Sequence, residues 1–330
     1  MDAQASVESL PTSAPSGEVS RIGWWVVAAV CLVLLGLGLY SYLYEHHHGG
    51  IATDMRNPGY GGAAWGLYII FDIFFVGVSF AGFAVPVIAR LFDLEVLRPV
   101  TRIAQLLTLG CLLAAAACVM ADQGRPFDAM AKLPRLARPS SPFFGTFTMI
   151  EAGYFFSGMV FFFLGGRQDA ALLASRPGRL RWLYRWWASG YQDTPSERGR
   201  HRRVMFWLSL GVLPILVIAH ATLGFVFGIQ GGRPGWYSAS QAPAFVVLAG
   251  LSGTGMLILV TLGVRWLFRL HDRVPDAAVG WLGNALWVLA ITYLFLMVSE
   301  SLTATYASPD ADRALAREIM FGHFAPLFWL

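Results

Sequence analysis

Seven long apolar runs constrain the fold of this chain more than any other feature of its sequence. Each run has the length of about 20 residues that an α-helix needs to cross roughly 30 Å of hydrocarbon. The runs cover residues 24–44, 65–92, 101–121, 143–166, 204–228, 242–268 and 280–306. Because they are continuously apolar, and not short and alternating, they predict an all-α, polytopic bundle of transmembrane helices.

The composition agrees with a membrane protein. Hydrophobic residues make up 56% of the chain and charged residues only 13%, which lies outside the range of soluble globular domains. An eighth apolar run begins at Phe321 and stops at Leu330. A helix that ended inside the bilayer would leave its carbonyl groups unpaired, so we expect a truncated eighth span, as in a fragment of a longer chain.

Arginine indicates how the chain crosses the membrane. The segment after the fourth run is rich in arginine, which is typical of cytoplasmic loops. Residues 1–20, rich in Ser, Pro and Ala, then form a disordered cytoplasmic tail, and the loops after spans one, three, five and seven lie outside. Arg125, Lys132, Arg135 and Arg138 after the third run count against this orientation. In the arginine-rich segment, residues 179–187 predict either an amphipathic helix that binds anionic lipid or a plain aromatic anchor.

Ionisable side chains within the spans are costly and therefore mark candidate functional residues. In this topology five of them fall in the outer half of the membrane: Asp72, Asp122, Glu151, His220 and Glu300. They predict one polar pocket that opens outward. Structural alternatives remain for each: Asp122 could pair with Arg125 in a helix-ending turn, and Glu151 and Glu300 could form interhelical hydrogen bonds. For His220, the only histidine deep in a span, we favour a functional role.

Helical spacing predicts that two of these residues face other helices. One face of the second span carries Tyr68, Asp72, Ser79 and Gly82. One face of the fifth span carries His220, Gly224 and Gly228. Small residues beside a polar one are typical of a helix-packing face in membranes.

The redox-active residue types are too sparse for a metal centre in the chain. Two haems in a bundle would need several deep histidines, and Cys31, Cys111 and Cys118 lack the close spacing that holds an iron–sulfur cluster. Residues 46–48, three adjacent histidines, indicate a solvated interface cluster more than a surface metal site. Motifs of nucleotide-binding and hydrolytic enzymes are also missing from the sequence.

Four stretches resemble one known family. They are WGLYIIFDIFFVGVSFAG at 65–82, ADQGRP at 121–126, AHAT at 219–222 followed by GRPGW at 232–236, and SESLTA at 299–304. Together they are similar to the NrfD/polysulfide-reductase membrane-subunit family, which includes subunits of alternative complex III. The resemblance extends from about residue 65 to 330. Asp72 departs from it, because that part of the family signature is usually apolar.

The resemblance implies two four-helix bundles and a quinone or quinol bound near the outer surface, with no haem or cluster in the chain. Residues 21–63 are then the first transmembrane helix and outer loop, 64–228 the first bundle with the quinone site, and 229–330 a partial second bundle. Electrons pass to or from an outer-side, ferredoxin-like iron–sulfur subunit, often beside a molybdopterin-type or multihaem c subunit. We expect the 124–142 loop to dock it.

This interpretation divides the candidate residues by role. Asp122, His220, Glu151 and Asp72 are expected to exchange protons with menaquinol or ubiquinol, and Arg125, Tyr68, Tyr154 and Glu300 to contact the head group. The chain would act only within a multi-subunit complex of the bacterial cytoplasmic membrane. A proton or small-solute transporter is the alternative; it is disfavoured because the inner halves of the spans carry almost no ionisable groups. A purely structural anchor would leave the intramembrane charges unexplained.

Overall fold

A computed structural model describes residues 21–53, 65–123, 126–136, 138, 140, 148–230, 233–306 and 309–329, and these contain helices and no strand. The predicted tail, residues 1–20, lies outside these ranges. Within them, seven helices are long and apolar enough to cross a membrane. They are α1 (Arg21–His48), α2 (Leu67–Leu91), α3 (Arg98–Asp122), α5 (Thr148–Ala174), α7 (Pro195–Gly228), α8 (Gln241–Leu267) and α9 (Asp276–Tyr306). The predicted fold class and number of complete spans are confirmed.

Four shorter α-helices complete the described part of the chain. They are α4 (Pro126–Leu136), α6 (Arg181–Ala188), α10 (Asp310–Phe321) and α11 (Ala325–Phe328). The predicted amphipathic segment does form a helix, α6, whose Trp182 and Trp186 are exposed. Its Trp187 turns the other way and donates a hydrogen bond from Nε1 to the carbonyl oxygen of Phe163 at 2.9 Å. Helix α6 is thereby fixed to α5, and its binding to lipid stays a prediction.

Helix α7 begins well before the apolar run that predicted it. Thr194 caps the helix: its hydroxyl accepts a hydrogen bond from the backbone N–H of Glu197 at 3.3 Å, and the Glu197 carboxylate accepts one from the N–H of Thr194 at 3.4 Å. This reciprocal capping box satisfies two N–H groups that a helix start leaves unpaired. The polar first turns carry Arg198 and Arg202 up to the bundle, and apolarity alone could not show them as helical.

Helices α2, α3, α5 and α7 form a bundle around one shared core. Phe83 of α2, Leu112 of α3, Phe161 of α5 and Leu216 of α7 all belong to a single cluster of buried side chains. Inside a membrane such contacts act through close van der Waals packing, because lipid tails are as apolar as the side chains. This is the four-helix arrangement expected for spans two to five.

Glycines allow α2 to approach its neighbours closely. A Cβ atom added at Gly82 would lie 1.4 Å from Thr108 Oγ1 and 2.3 Å from the carbonyl oxygen of Ala104, both on α3. On α7, a Cβ at Gly224 would lie 2.6 Å from the carbonyl oxygen of Gln241 at the start of α8. The small-residue faces predicted for the second and fifth spans are therefore packing faces, as expected.

Candidate functional site

Three acidic side chains meet at one end of the four-helix bundle, which we call the acidic end. Asp72 lies near the start of α2, Asp122 is the last residue of α3, and Glu151 lies in the first turn of α5. Asp72 is 5% exposed and Asp122 is 8% exposed. Because α2 and α5 begin where α3 and α7 end, the up-and-down topology brings these residues to the same end of the bundle.

The three carboxyl groups form one electrostatic cluster. Asp72 interacts electrostatically with Asp122, and Glu151 with Asp72. The Oε1 atom of Glu151 is buried and has no hydrogen-bond partner among the described residues. Repulsion between neighbouring carboxylates disfavours ionisation of all three at once. The cluster is therefore a place where protons can be held and exchanged.

Next to the acidic cluster, a hydrogen-bond network joins three helices. The hydroxyl groups of Tyr154 on α5 and Ser79 on α2 lie 2.9 Å apart. Ser79 donates its own hydrogen to the carbonyl oxygen of Val76 at 2.6 Å, so the Tyr154 hydroxyl is the donor to Ser79. Tyr154 is fully buried and interacts electrostatically with Glu151, one helical turn before it. The network thus connects the acidic cluster to the core.

His220 joins the same network from α7. Its Nε2 lies 3.1 Å from the carbonyl oxygen of Val76, and its Nδ1 lies 2.8 Å from the carbonyl oxygen of Leu216. The ring also packs edge-on against Phe80 and Tyr154, with centroids 5.1 and 5.4 Å apart. Both ring nitrogens therefore face backbone acceptors. In this arrangement His220 binds α7 to α2, and a ligand would reach a ring nitrogen only by displacing one of these contacts.

Tyr68, one turn before Asp72 on α2, and Glu300 on α9 form their hydrogen bonds with other residues. Tyr68 donates a hydrogen bond to Glu45 of α1 at 3.0 Å. Glu300 on α9 accepts hydrogen bonds from Ser238, at 3.0 Å, and from Ser240, just before α8. Glu300 thus bonds to the segment just before α8, a structural contact close to the interhelical one considered as its alternative role. Arg125 lies outside the described residues, whereas most of the predicted docking loop, residues 124–142, is described and forms α4.

An aromatic cluster at the acidic end was not predicted from the sequence. Trp65 stacks on Trp236 with ring centroids 5.7 Å apart, and Phe227 lies 5.4 Å from Trp65 and 5.1 Å from Trp236. Phe227 also packs beside the cluster formed by Val76, Ala115 and Leu223, which places the rings next to the helix that carries Asp72. The sequence did contain an indication of this cluster, because Trp65 and Trp236 belong to two of the four family-like stretches.

We call the opposite end of the bundle the basic end. The charged side chains there show that one expectation was wrong. The inner halves of the spans were expected to carry almost no ionisable groups. Arg90 nevertheless lies in the last turn of α2, with its guanidinium 4.9 Å from the Phe161 ring centre. Arg102 on α3 forms an ion pair with Asp169, with Nε 2.7 Å from the carboxylate. Both arginines lie within the apolar runs 65–92 and 101–121, but their contacts depend on how the helices pack, which the runs do not show.

The described residues contain no group of three His, Cys, Asp or Glu side chains arranged to hold a metal ion. A sequence model of the family described as "Polysulphide reductase, NrfD" matches residues 56–330. The chain belongs to the NrfD family. This confirms the family resemblance found in the sequence.

Three curated relatives of this NrfD family chain span a range of redox complexes. A putative membrane subunit of a dimethyl sulfoxide reductase from Halobacterium salinarum is 31% identical over 97% of this chain and 68% of its own length. A selenate reductase subunit from Mesobacillus selenatarsenatis is 24% identical over 81% of this chain and 63% of its own. The integral membrane subunit of an Hdr-like menaquinol oxidoreductase from Archaeoglobus fulgidus is 20% identical over 78% of this chain and 55% of its own length. This NrfD family chain thus matches between about half and two thirds of the length of each relative.

Proposed function

We propose that this chain is the quinone-interacting membrane subunit of a multi-subunit redox complex. It exchanges protons with quinol at the acidic end and passes electrons to or from a separate iron–sulfur protein. The observation that carries the proposal is the convergence of Asp72, Asp122 and Glu151 from three helices beside an aromatic cluster. Family membership and relatives named as subunits of reductases and of a menaquinol oxidoreductase support it.

The acidic cluster supplies the proton chemistry. Oxidation of a quinol to a quinone releases two protons and two electrons, and reduction takes up the same number. A carboxylate at the head group accepts a proton as general base, and the reverse reaction uses the protonated acid. Asp122 ends α3, whereas Asp72 lies five residues inside α2, about 8 Å deeper at 1.5 Å per residue. We assign Asp72 and Glu151 to proton exchange with the quinol and Asp122 to exchange with the surface.

Tyr154 and His220 are positioning residues in this proposal. The bond from Tyr154 to Ser79, and the bond that His220 donates to Val76 when its Nε2 is protonated, hold α5 and α7 against the part of α2 that follows Asp72. Glu151 and Tyr154 are three residues apart, so they lie on one face of α5. The network therefore sets the distance between the carboxyl groups of Glu151 and Asp72.

The aromatic cluster supports head-group binding. Flat faces such as those of Trp65 and Trp236 suit offset stacking with a planar ring. Electrons would then leave through an outer-side, ferredoxin-like subunit docked near residues 124–142, within a complex that includes a molybdopterin-type or multihaem c subunit. The quinone would be menaquinone or ubiquinone. Arg125 and Tyr68 remain candidate contacts of the head group.

The arrangement of charge supports an orientation in the bacterial cytoplasmic membrane. The basic end and the arginine-rich segment around α6 belong to one side, as the positive-inside rule requires of a cytoplasmic face. The acidic end then faces outward, and the N-terminus is cytoplasmic. Protons released from quinol would leave on the outer side.

The test is quinol-dependent electron transfer in the assembled complex. General acid–base groups contribute typically 10² to 10⁴-fold to a rate, so Asp72→Asn should lower turnover at least about 100-fold. Glu95→Gln is the matched control, because Glu95 is an exposed acid at the basic end. Wild-type turnover in Asp72→Asn, Asp122→Asn and Glu151→Gln, each fully assembled, would contradict the proposal.

One observation favours a second candidate, proton conduction through the first bundle. Thr108 donates a hydrogen bond to the carbonyl oxygen of Ser79 at 2.9 Å, and Gln105 lies one turn closer to the basic end. Both line a small cavity of about 10 Å³, room for about one water molecule. Proton flux across vesicles without quinol would favour this candidate, and it should fall in Gln105→Leu. Flux that strictly requires quinol turnover would reject it.

A further inference from the structure

A second cavity opens at the basic end of the bundle. It has a volume of about 750 Å³ and lies between the ends of α2, α3, α5 and α7. Its lining includes four arginines, two carboxylates and two apolar side chains: Arg90, Arg98, Arg198, Arg202, Asp93, Glu95, Met205 and Phe206. The acidic cluster lies at the other end of these helices, so this cavity is separate from the proposed quinol site.

Some of the arginines in this cavity are already neutralised. Arg98 lies 3.0 Å from Asp93 and 3.2 Å from Glu95, and these two carboxylates neutralise its positive charge. Arg198 lies 3.7 Å from Asp193. Arg90 and Arg202, in contrast, form no ion pair with any carboxylate among the described residues. Two positive charges therefore face the cavity without an ion-pair partner among the described residues, since both carboxylates of the lining pair with Arg98.

Of these charged side chains, Arg90 has the greatest need of a hydrogen-bonded counter-ion. Its Nη1 atom is buried and has no hydrogen-bond partner in the described part of the chain. Arg102 adds a second guanidinium nearby: a Cβ placed at Gly165 would lie 3.4 Å from Arg102 Nη1 and 3.5 Å from Arg90 Nη2. Burial of an uncompensated charge is strongly unfavourable, and a hydrogen-bonded counter-ion removes that cost. An anion in the cavity would meet this requirement.

We propose that the cavity binds a phosphate-type oxyanion, the head group of an anionic phospholipid, with Arg90 as its innermost contact. The planar fork of a guanidinium matches two oxygens of a phosphate group. Met205 and Phe206 provide an apolar wall for the glycerol and the first acyl carbons, and Phe206 is itself 42% exposed. Helix α6, with exposed Trp182 and Trp186, lies at the same end, where head groups and aromatic anchors belong.

The experiment uses the assembled complex in an uncharged detergent after removal of lipid. Thermal unfolding and native mass spectrometry are recorded with phosphatidylglycerol, with phosphatidylcholine and with inorganic phosphate. Phosphatidylglycerol should stabilise the wild type more than phosphatidylcholine does. Arg90→Gln should weaken its binding at least about tenfold, since a hydrogen bond to a charged group is worth that much. Arg273→Gln, an exposed arginine outside both the cavity and the 179–187 segment, should bind like the wild type.

A second readout separates anion binding from general damage. Without lipid, Arg90→Gln should unfold at a higher temperature than the wild type, because it removes the unpaired buried charge. Equal stabilisation of Arg90→Gln and wild type by phosphatidylglycerol would overturn the proposal. If inorganic phosphate stabilised the wild type as much as phosphatidylglycerol does, the ligand would be a free oxyanion and the assignment to a lipid would be wrong. If Arg90→Gln does not assemble, Arg202→Gln gives the same binding comparison.

Discussion

The hydroxyl group of Tyr154 on α5 lies 2.9 Å from the hydroxyl oxygen of Ser79 on α2, and it is the donor of that hydrogen bond. This contact ties the helix of Glu151 to the helix of Asp72. Ser79 in turn donates to the carbonyl oxygen of Val76, which also faces Nε2 of His220. One backbone carbonyl thus links three helices beside the acidic cluster, and substitutions at Tyr154 and His220 test this link.

Removal of the Tyr154 hydroxyl should remove one hydrogen bond between α5 and α2 and leave the packing of the core unchanged. Tyr154→Phe keeps the ring that packs 4.9 Å from Phe83 but loses the bond to Ser79. A neutral hydrogen bond contributes about 1 kcal/mol, so the stability loss should be of that order. Quinol turnover should fall several-fold, because Glu151 is held less firmly. Tyr306→Phe, at an exposed tyrosine, is the control and should change neither stability nor turnover.

His220 gives a sharper test, because two roles predict different pH behaviour. If His220 only ties α7 to α2, His220→Asn should lower turnover while the shape of the pH profile stays that of the wild type. A histidine that exchanged protons with the quinol would remove a limb of that profile when replaced. Turnover measured between about pH 5 and 9 decides between the roles. A lost limb would restore the direct contact that the sequence suggested.

Gly82 should be intolerant of even one methyl group. The Cβ atom of Gly82→Ala would collide with Thr108 Oγ1 and the backbone oxygen of Ala104, and a backbone atom cannot rotate away. Overpacking of this kind costs about 1 to 3 kcal/mol, and we expect the upper end of that range. Gly110→Ala on α3 is the matched control, since a Cβ there meets nothing within 4 Å. A Gly82→Ala protein as stable as Gly110→Ala would contradict the described packing of α2 on α3.

The sequence predicted how deep each ionisable side chain lies in the membrane far better than it predicted which neighbouring helix that side chain faces. Apolar runs placed Asp72, Glu151 and His220 at similar depth, because depth follows from counting residues along a helix. Which side chains meet depends on helix rotation and crossing, which periodicity constrains only loosely. The sequence therefore could not show that the carboxyl groups cluster while both nitrogens of His220 face backbone oxygens.

The ends of the helices were the least predictable part. Helix α7 begins at Pro195 through a capping box, although its apolar run starts only at Val204. Charged residues in such extensions look like loop residues in a hydropathy profile. Arg90 likewise looks like an ordinary flanking charge until packing places its guanidinium over Phe161. Of the two cavity-lining arginines without a described carboxylate, Arg202 comes from such an extension, whereas Arg90 lies just inside the end of the apolar run 65–92.

The side of proton release is the last prediction, and it depends on the separation of the two ends of the bundle. Protons from quinol oxidised beside Asp72 and Asp122 should appear on the side opposite the arginine-rich segment, whatever accepts the electrons. The complex is reconstituted in vesicles whose orientation is read from tryptic cleavage at exposed Arg179, and quinol and an external acceptor are added. Asp72→Asn should slow proton release and electron transfer together, whereas Glu95→Gln, at the basic end, should slow neither. Protons released only on the side of Arg179 would refute both the orientation and the placement of the quinol site.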